Sequence, residues 1–162
     1  MDLIANEYLR QMAVQEKRFD AMYREAGAKF GMPDCSMWVL YFLISSGEPI
    51  SQQDLIQKMM FPKQTINSTV MKLAGDGFVK LFTTPGEGNR KAIALTEAGI
   101  NLANNTVRRL LRAELKAVKK MGKERMEQFI QLYSELFSAM REEFIKEGFY
   151  EQQFSVGKKC PT

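Results

Sequence analysis

The sequence has 162 residues, of which 45% are hydrophobic and 26% charged, as in an ordinary globular domain. It has no histidine and only two widely separated cysteines, which argues against a disulfide framework, a zinc site and histidine-based catalysis, so we expect no metal, no cofactor and no enzyme. The net charge of +4 suits a polyanionic partner. No apolar run of about 18 residues and no signal-peptide pattern is present, so we expect a cytoplasmic protein with no membrane partner.

Two helices are predicted in the first 45 residues. Apolar residues recur three or four apart from residue 3 to residue 30, which predicts a helix that Gly31 and Pro33 end. The segment from Met37 to Ser45 is apolar nearly all round and is predicted to be a buried central helix. Residues 46–49 then form a turn.

Two shorter helices follow, joined by a turn at about Met59 to Pro62. The first begins after Ser51, which together with Asp54 resembles a capping box. The second runs from about Pro62 to Ala74. Its inward stripe is predicted to consist of Ile66, Val70 and Leu73.

A strand–loop–strand segment comes next. Residues 78–83 and 91–95 alternate in hydropathy, as strands do, and residues 84–90 form a loop longer than a tight hairpin needs. Helix, turn, helix and hairpin in this order indicate a helix-turn-helix followed by a β-hairpin wing.

The remaining chain is predicted to be two helices and a tail. Thr96 caps a long helix over about 97–121, which Gly122 interrupts. A last helix over 123–146 carries a single apolar stripe. Residues 149–162 show no periodicity and are left unassigned.

The polar face of the second short helix has side chains suited to reading DNA. A major groove admits one α-helix, and glutamine, asparagine, lysine, serine and threonine all bond to base edges or phosphates there. On an isolated helix a merely solvated face would be the better interpretation, but the adjoining wing favours DNA binding. The candidates on this helix are Lys63, Gln64, Thr65, Asn67, Ser68 and Lys72.

The sequence resembles a known family at these same positions. Residues 55–79, LIQKMMFPKQTINSTVMKLAGDGFV, fall without a gap on the helix-turn-helix of the MarR family of bacterial transcription regulators, and residues 89–99 resemble its wing strand and L-T-x-x-G ending. The resemblance covers about residues 5–148. The family often has glycine where this chain has Met60, and arginine where it has Ser68.

The resemblance implies a mainly α fold with a small β-hairpin wing (α+β) that acts as a homodimer. Residues 1–35 and 100–148 would form the helical dimerisation region, and residues 36–99 the winged helix-turn-helix module. The family's minor-groove arginine falls on Arg90. The full set of expected DNA-binding residues is Ser51, Gln52, Lys63, Gln64, Thr65, Asn67, Ser68, Lys72, Arg90 and Lys91.

Three further features are open to two interpretations each. The aromatic and methionine residues of the N-terminal helices could line an effector pocket or simply pack in the core and dimer interface; they are Phe19, Met22, Tyr23, Met37, Trp38 and Tyr41. Residues 108–125 contain eight basic and two acidic residues and form either a solvated face or a phosphate-contacting patch. Cys35 is better interpreted as a structural thiol than as a redox sensor.

The predicted function is sequence-specific binding of duplex DNA by a homodimer on a palindromic operator, most simply as a repressor, with relief by a small apolar or aromatic effector as a weaker hypothesis. The alternative is a winged-helix protein-interaction module, antirepressor-like, that no longer binds DNA. The donors on both the recognition helix and the wing favour the first interpretation. No glycine-rich cofactor loop supports an enzyme.

Overall fold

The computed structural model describes residues 2–83 and 91–149, in which helices predominate and three short strands form one antiparallel sheet. The elements are α1 (Leu3–Phe30), α2 (Asp34–Ser46), β1 (Ile50–Ser51), α3 (Gln52–Met59), α4 (Lys63–Gly75), β2 (Val79–Thr83), β3 (Lys91–Leu95), α5 (Glu97–Asn105), α6 (Val107–Met121) and α7 (Lys123–Lys146). The mainly α fold class with a β-hairpin is therefore confirmed. None of the helices in this part of the chain is both long and apolar enough to cross a membrane.

One continuous helix was predicted over about residues 97–121. That prediction is wrong in one respect, because the helix is broken at Thr106. That residue has φ −122° and ψ −97° and is almost completely buried. Its Oγ1 donates to the carbonyl of Leu102 at 2.7 Å, and its N–H donates to the carbonyl of Ala103 at 3.3 Å. The buried threonine thus ends α5 with its own hydrogen bonds, and α6 starts at the next residue.

The sheet has the strand order β1-β3-β2, with β3 paired on both edges. On one side five residue pairs join β2 to β3, from Val79 opposite Leu95 to Thr83 opposite Lys91. On the other side β1 adds two pairs, Ile50 opposite Ile93 and Ser51 opposite Ala92. The sequence did not predict β1, and through it the start of α3 is attached to the hairpin.

The hydrophobic core lies around α2, which packs against α3, α4, α5 and β3. The prediction of a buried central helix is confirmed at one side of α2, where Val39 and Leu40 have no exposed surface, while Trp38 and Tyr41 are half-buried. Among the described residues, the largest fully buried side chains of other elements are Leu55, Ile66, Val70, Ile93 and Val107.

Gly99, the glycine of the L-T-x-x-G motif, is required by a close backbone approach. A Cβ at this position would lie 1.8 Å from the carbonyl oxygen of Phe78. Thr96 fixes the same corner, since its N–H donates to that carbonyl at 3.0 Å and its Oγ1 caps α5 by accepting from the N–H of Gly99 at 3.0 Å. The end of the hairpin and the start of α5 are therefore held together at this corner.

The chain divides into two compact units, one ending at Glu114 and the other beginning at Leu115. In the first unit, α1 has 28 residues of which only Gly27 is buried. In the second, no residue of α7 is buried. The exposed apolar side chains include Leu3, Ile4, Tyr8, Leu9, Val14 and Phe19 on α1 and Phe129, Ile130, Leu132, Tyr133, Leu136 and Phe137 on α7.

Candidate nucleic-acid interface

Helix α4 presents a polar face to solvent. The predicted inward stripe of Ile66, Val70 and Leu73 is buried, which confirms that prediction and fixes the rotation of the helix. Asn67 is half-buried at one edge of the polar face. The exposed candidates are Lys63, Gln64, Thr65, Ser68 and Lys72.

The N-terminal end of α4 is open to an anion. Pro62 occupies the N-cap position, and no side chain among the described residues caps the helix there. The amides of the first helical turn have no intrahelical partners and give the helix N-terminus a partial positive charge. Lys63 and Gln64 are exposed at the same end. Cationic and neutral donors therefore surround the point at which a helix usually meets phosphates and base edges.

The turn before α4 is made by a residue in the left-handed region. Met60 has φ 54° and ψ 19°, and 81% of its surface is exposed. A side chain at this backbone conformation costs about 1–2 kcal/mol, which glycine avoids. The turn for which the MarR family often uses glycine is thus formed here by methionine.

Two candidates on the polar face of α4 already have hydrogen bonds to α4 or to its C-cap residue. The Nζ of Lys72 lies 2.9 Å from the Oδ2 of Asp76, which offsets part of its charge. The Oγ of Ser68 donates to the carbonyl of Thr65 at 3.0 Å. Asp76 was not predicted from the sequence, although lysine and aspartate four residues apart on a helix are the usual signal for such a pair.

The first turn of α3 meets the edge of this face. Ser51 caps α3, because its Oγ accepts from the N–H of Asp54 at 3.0 Å, as the capping box predicted. The Nε2 of Gln52 donates to the Oδ1 of Asn67 at 2.7 Å, which joins α3 to α4. Gln52 and Asn67 are therefore brought together, whereas the hydroxyl of Ser51 is used inside its own helix.

Only one of the two wing candidates can be placed. Lys91 is exposed at the first position of β3, opposite Thr83 in the register. Arg90, together with the preceding Glu87 to Asn89, lies outside the described residues.

The candidate effector residues are placed differently from one another. Phe19, Tyr23, Trp38 and Tyr41 form a continuous cluster, in which the ring centroid of Trp38 lies 4.8 Å from that of Tyr23 and 5.3 Å from that of Tyr41. Met37, by contrast, is fully buried in the core. Met22 is largely exposed on α1.

A carboxylate that was not predicted from the sequence joins this cluster. The phenol of Tyr23 donates to the Oε1 of Glu114, and that of Tyr41 donates to the Oε2 at 2.6 Å. Burial, followed by the hydrogen bond to Glu114, raises the pKa of both phenols well above the ordinary value, so both remain protonated donors beyond the pH at which an exposed tyrosine ionises. A signal was present in the sequence, because Glu114 is the one acidic residue of the basic helix α6.

Cys35 is buried, and its Sγ lies 4.0 Å from the carbonyl oxygen of Thr65. Across residues 2–83 and 91–149, histidine, cysteine, aspartate and glutamate side chains do not gather in threes as a metal site requires.

The basic side chains of α6 are exposed: Arg108, Arg109, Arg112, Lys116, Lys119 and Lys120.

No protein-family profile and no curated protein matches the sequence, but solved structures match the fold. A MarR family regulator from Neisseria meningitidis is 19% identical with a TM-score of 0.74, over 86% of this chain and 98% of that one. The chain has the MarR fold. The S. aureus MepR–DNA complex is 20% identical with a TM-score of 0.60, over 83% and 95% of the two chains. NadR in complex with 4-hydroxyphenylacetate is 17% identical with a TM-score of 0.64, over 78% and 89%.

Proposed function

We propose that this chain is a cytoplasmic MarR family regulator that binds duplex DNA sequence-specifically as a homodimer. The observation that carries the proposal is the exposed polar face of α4 beside a hairpin that pairs with β1, the strand directly before α3. The fold shared with MepR, which has been solved in complex with DNA, supports it. The proposed contacts are made by Ser51, Gln52, Lys63, Gln64, Thr65, Asn67, Ser68, Lys72, Arg90 and Lys91.

In this proposal α4 enters the major groove with its N-terminal end leading. Gln64 and Thr65 are exposed in the first turn, where side chains of a recognition helix usually reach base edges. Lys63 and the uncapped amides of that turn suit a phosphate. Arg90 would enter the minor groove, because a narrow minor groove has an enhanced negative potential.

The apolar surface left exposed on the outer helices supports a homodimer. Soluble monomers rarely leave a large contiguous apolar patch exposed, yet Leu3, Ile4 and Tyr8 are all mostly exposed at the start of α1. On α1 the small residues Ala13 and Ala21 lie near Val14, among the basic residues Arg10, Lys17 and Arg18. Small residues of this kind let a second helix approach closely.

We therefore assign residues 1–35 and 100–148 to dimerisation and residues 36–99 to DNA binding. Two recognition helices of a symmetric dimer contact half-sites about 10–10.5 base pairs apart or a multiple of that spacing, so the operator should be an imperfect palindrome. A dimer that covers a promoter obstructs polymerase, which makes repression the simplest output.

A small aromatic effector is the proposed means of relief. The cluster of Tyr23, Trp38 and Tyr41 offers ring faces, and a ligand inserted among them would compete with the two hydrogen bonds to Glu114. The fold shared with NadR, which has been solved with 4-hydroxyphenylacetate, supports this hypothesis. A thermal-shift screen of apolar and aromatic compounds tests it, and a screen without any stabilising compound counts against it.

The experiment that tests DNA binding is a selection of bound duplexes from a random pool. Wild type should enrich a palindrome, Gln64→Ala should blur it, and Arg90→Ala should weaken binding to it. Lys29→Ala, which removes one exposed positive charge from the end of α1, controls for net charge. If folded, dimeric wild-type protein enriches no duplex at low salt, the proposal fails and the protein-interaction module takes its place.

A further inference from the structure

The hydrogen bond between Gln52 and Asn67 restricts what Asn67 can offer to a ligand. A free asparagine amide presents a donor and an acceptor side by side, which is why asparagine reads adenine bidentately. Here the Nε2 of Gln52 donates to the Oδ1 of Asn67 at 2.7 Å. The bond orients the Asn67 amide, and its Oδ1 faces α3.

The two remaining amide groups of the pair are accessible to solvent. Among the described residues, the Nδ2 of Asn67 and the Oε1 of Gln52 have no hydrogen-bond partner. Both residues are half-buried, yet no buried side-chain nitrogen or oxygen in this part of the chain lacks a partner. These two groups must therefore be accessible, and Asn67 presents a donor at the edge of the polar face of α4.

We propose that Gln52 is a positioning residue that sets the hydrogen-bonding polarity of Asn67 and thereby the base that Asn67 prefers. The inference rests on the proposed DNA-binding function and adds the specificity of one operator position. With Nδ2 directed outward, Asn67 donates to an acceptor on the major-groove edge of a base.

The outward donor of Asn67 predicts which of the four bases is preferred at the contacted position. Guanine presents two acceptors, N7 and O6, whereas cytosine presents only its N4 donor in the major groove. An outward donor therefore favours guanine on the contacted strand and rejects cytosine. Adenine and thymine, with one acceptor each, rank between them.

Gln52→Glu is the decisive variant, because it reverses this polarity with almost no change in shape. A carboxylate can only accept, so Asn67 would turn its Nδ2 toward α3 and its Oδ1 toward the groove. The preference at one position in each half-site should then move from guanine toward cytosine or adenine, which carry N4 and N6 donors. We expect the ratio of cytosine-site to guanine-site Kd to change about tenfold or more, the scale of one good base contact.

Gln53→Glu adds the same charge at the neighbouring exposed residue and should keep the wild-type base preference. Asn67→Asp is a second route to the same test, since its carboxylate keeps the bond from Gln52 but loses the outward donor, and the preference for guanine should disappear. Thermal unfolding checks that each variant is folded. The added negative charge weakens binding to every duplex. Its effect therefore cancels in the ratio of the Kd values for two duplexes that differ at one position.

The experiment is the duplex selection run with wild type and these variants, followed by titration of four duplexes that differ only at the selected position. A change in base preference with Gln52→Glu and Asn67→Asp, but not with Gln53→Glu, supports the inference. An enriched palindrome with the same preference in wild type and Gln52→Glu, or a wild-type preference for cytosine, overturns it while leaving DNA binding intact. Absence of any enriched duplex overturns the proposed function itself.

Discussion

The central segment from α2 to β3 and the helix α7 both have regular apolar patterns, but only the first buries them within one chain. Leu40 and Leu55 have no exposed surface, whereas Leu132 and Phe137 of α7 are 65% and 56% exposed. Helices α3 and α4 of the central segment are amphipathic, as α7 is. The pattern of a sequence thus tells which face of a helix is apolar, and the structure tells whether the same chain covers it.

The difference separates two kinds of apolar side chain. Those of the central segment stabilise the fold of one chain, and their loss should lower the free energy of unfolding. Those of α7 are covered in the proposed homodimer, and their loss should lower the affinity between chains.

The largest effect is expected at Gly99. Gly99→Ala places a methyl group 1.8 Å from the carbonyl oxygen of Phe78, so the corner between the hairpin and α5 must open. We expect the free energy of unfolding to fall by about 3 kcal/mol, at the upper end of overpacking effects. Urea unfolding followed by circular dichroism measures this loss.

Gly75→Ala is the matched control, because a Cβ at Gly75 meets nothing within 4 Å. This glycine is the last residue of α4, where alanine is a better helix former, so the free energy should stay the same or rise by a few tenths of a kcal/mol to about 1 kcal/mol. Equal destabilisation by the two variants would mean that the close approach to Phe78 is not what requires Gly99.

The next effect is expected on α7. Phe137→Glu places a charge on the apolar stripe and should raise the dimer Kd about 30-fold or more, the scale of an interface hot spot. Sedimentation equilibrium measures the Kd, and circular dichroism should show unchanged helix content. Ser138→Glu adds the same charge at the adjacent exposed residue and should leave the Kd nearly unchanged. A dimer that tolerates Phe137→Glu would place the interface elsewhere.

The smallest effect is expected at the phenols that bond to Glu114. Their pKa is raised in the folded chain from the ordinary value of 10.0, so above pH 10 the unfolded chain loses these protons first. Their contribution to stability is therefore fully present below pH 10 and falls as the pH rises through the folded-state pKa. Tyr41→Phe should lower the free energy of unfolding by about 1 kcal/mol at pH 8 and flatten its decline above pH 10.

Urea unfolding at intervals from pH 8 to pH 11 provides this comparison. Tyr8→Phe, at an exposed tyrosine of α1, controls for the removal of a phenol. If the two variants have the same profile, the bond between Tyr41 and Glu114 contributes nothing to stability.

Local patterns were enough to predict most elements. The bounds predicted for α1, β3 and α7 agree with the structure, because each segment has its own periodicity and because Gly31 and Gly122 mark the end of α1 and the start of α7. The strand β1 was missed because two residues carry no periodic signal and it exists only by pairing with β3. The break at Thr106 was missed because no glycine or proline marks it, and a buried hydroxyl makes it.

The candidate site was predictable to a similar extent. The spacing of Ile66, Val70 and Leu73 showed which face of α4 points outward, and so which side chains are available. The bond from Gln52 to Asn67 joins residues 15 positions apart, and the phenols that meet Glu114 are 91 and 73 positions away. Such pairs depend on how the helices pack, and that information is not contained in any single segment.

The central position of β3 has a consequence for how such a protein can diversify. Its register is set twice, by five pairs with β2 and by two pairs with β1 on the opposite edge. An insertion or deletion within residues 84–90 therefore need not shift the strand that anchors the hairpin. The length of the segment between the two strands can therefore change in evolution, or be changed by design, without a change in the fold.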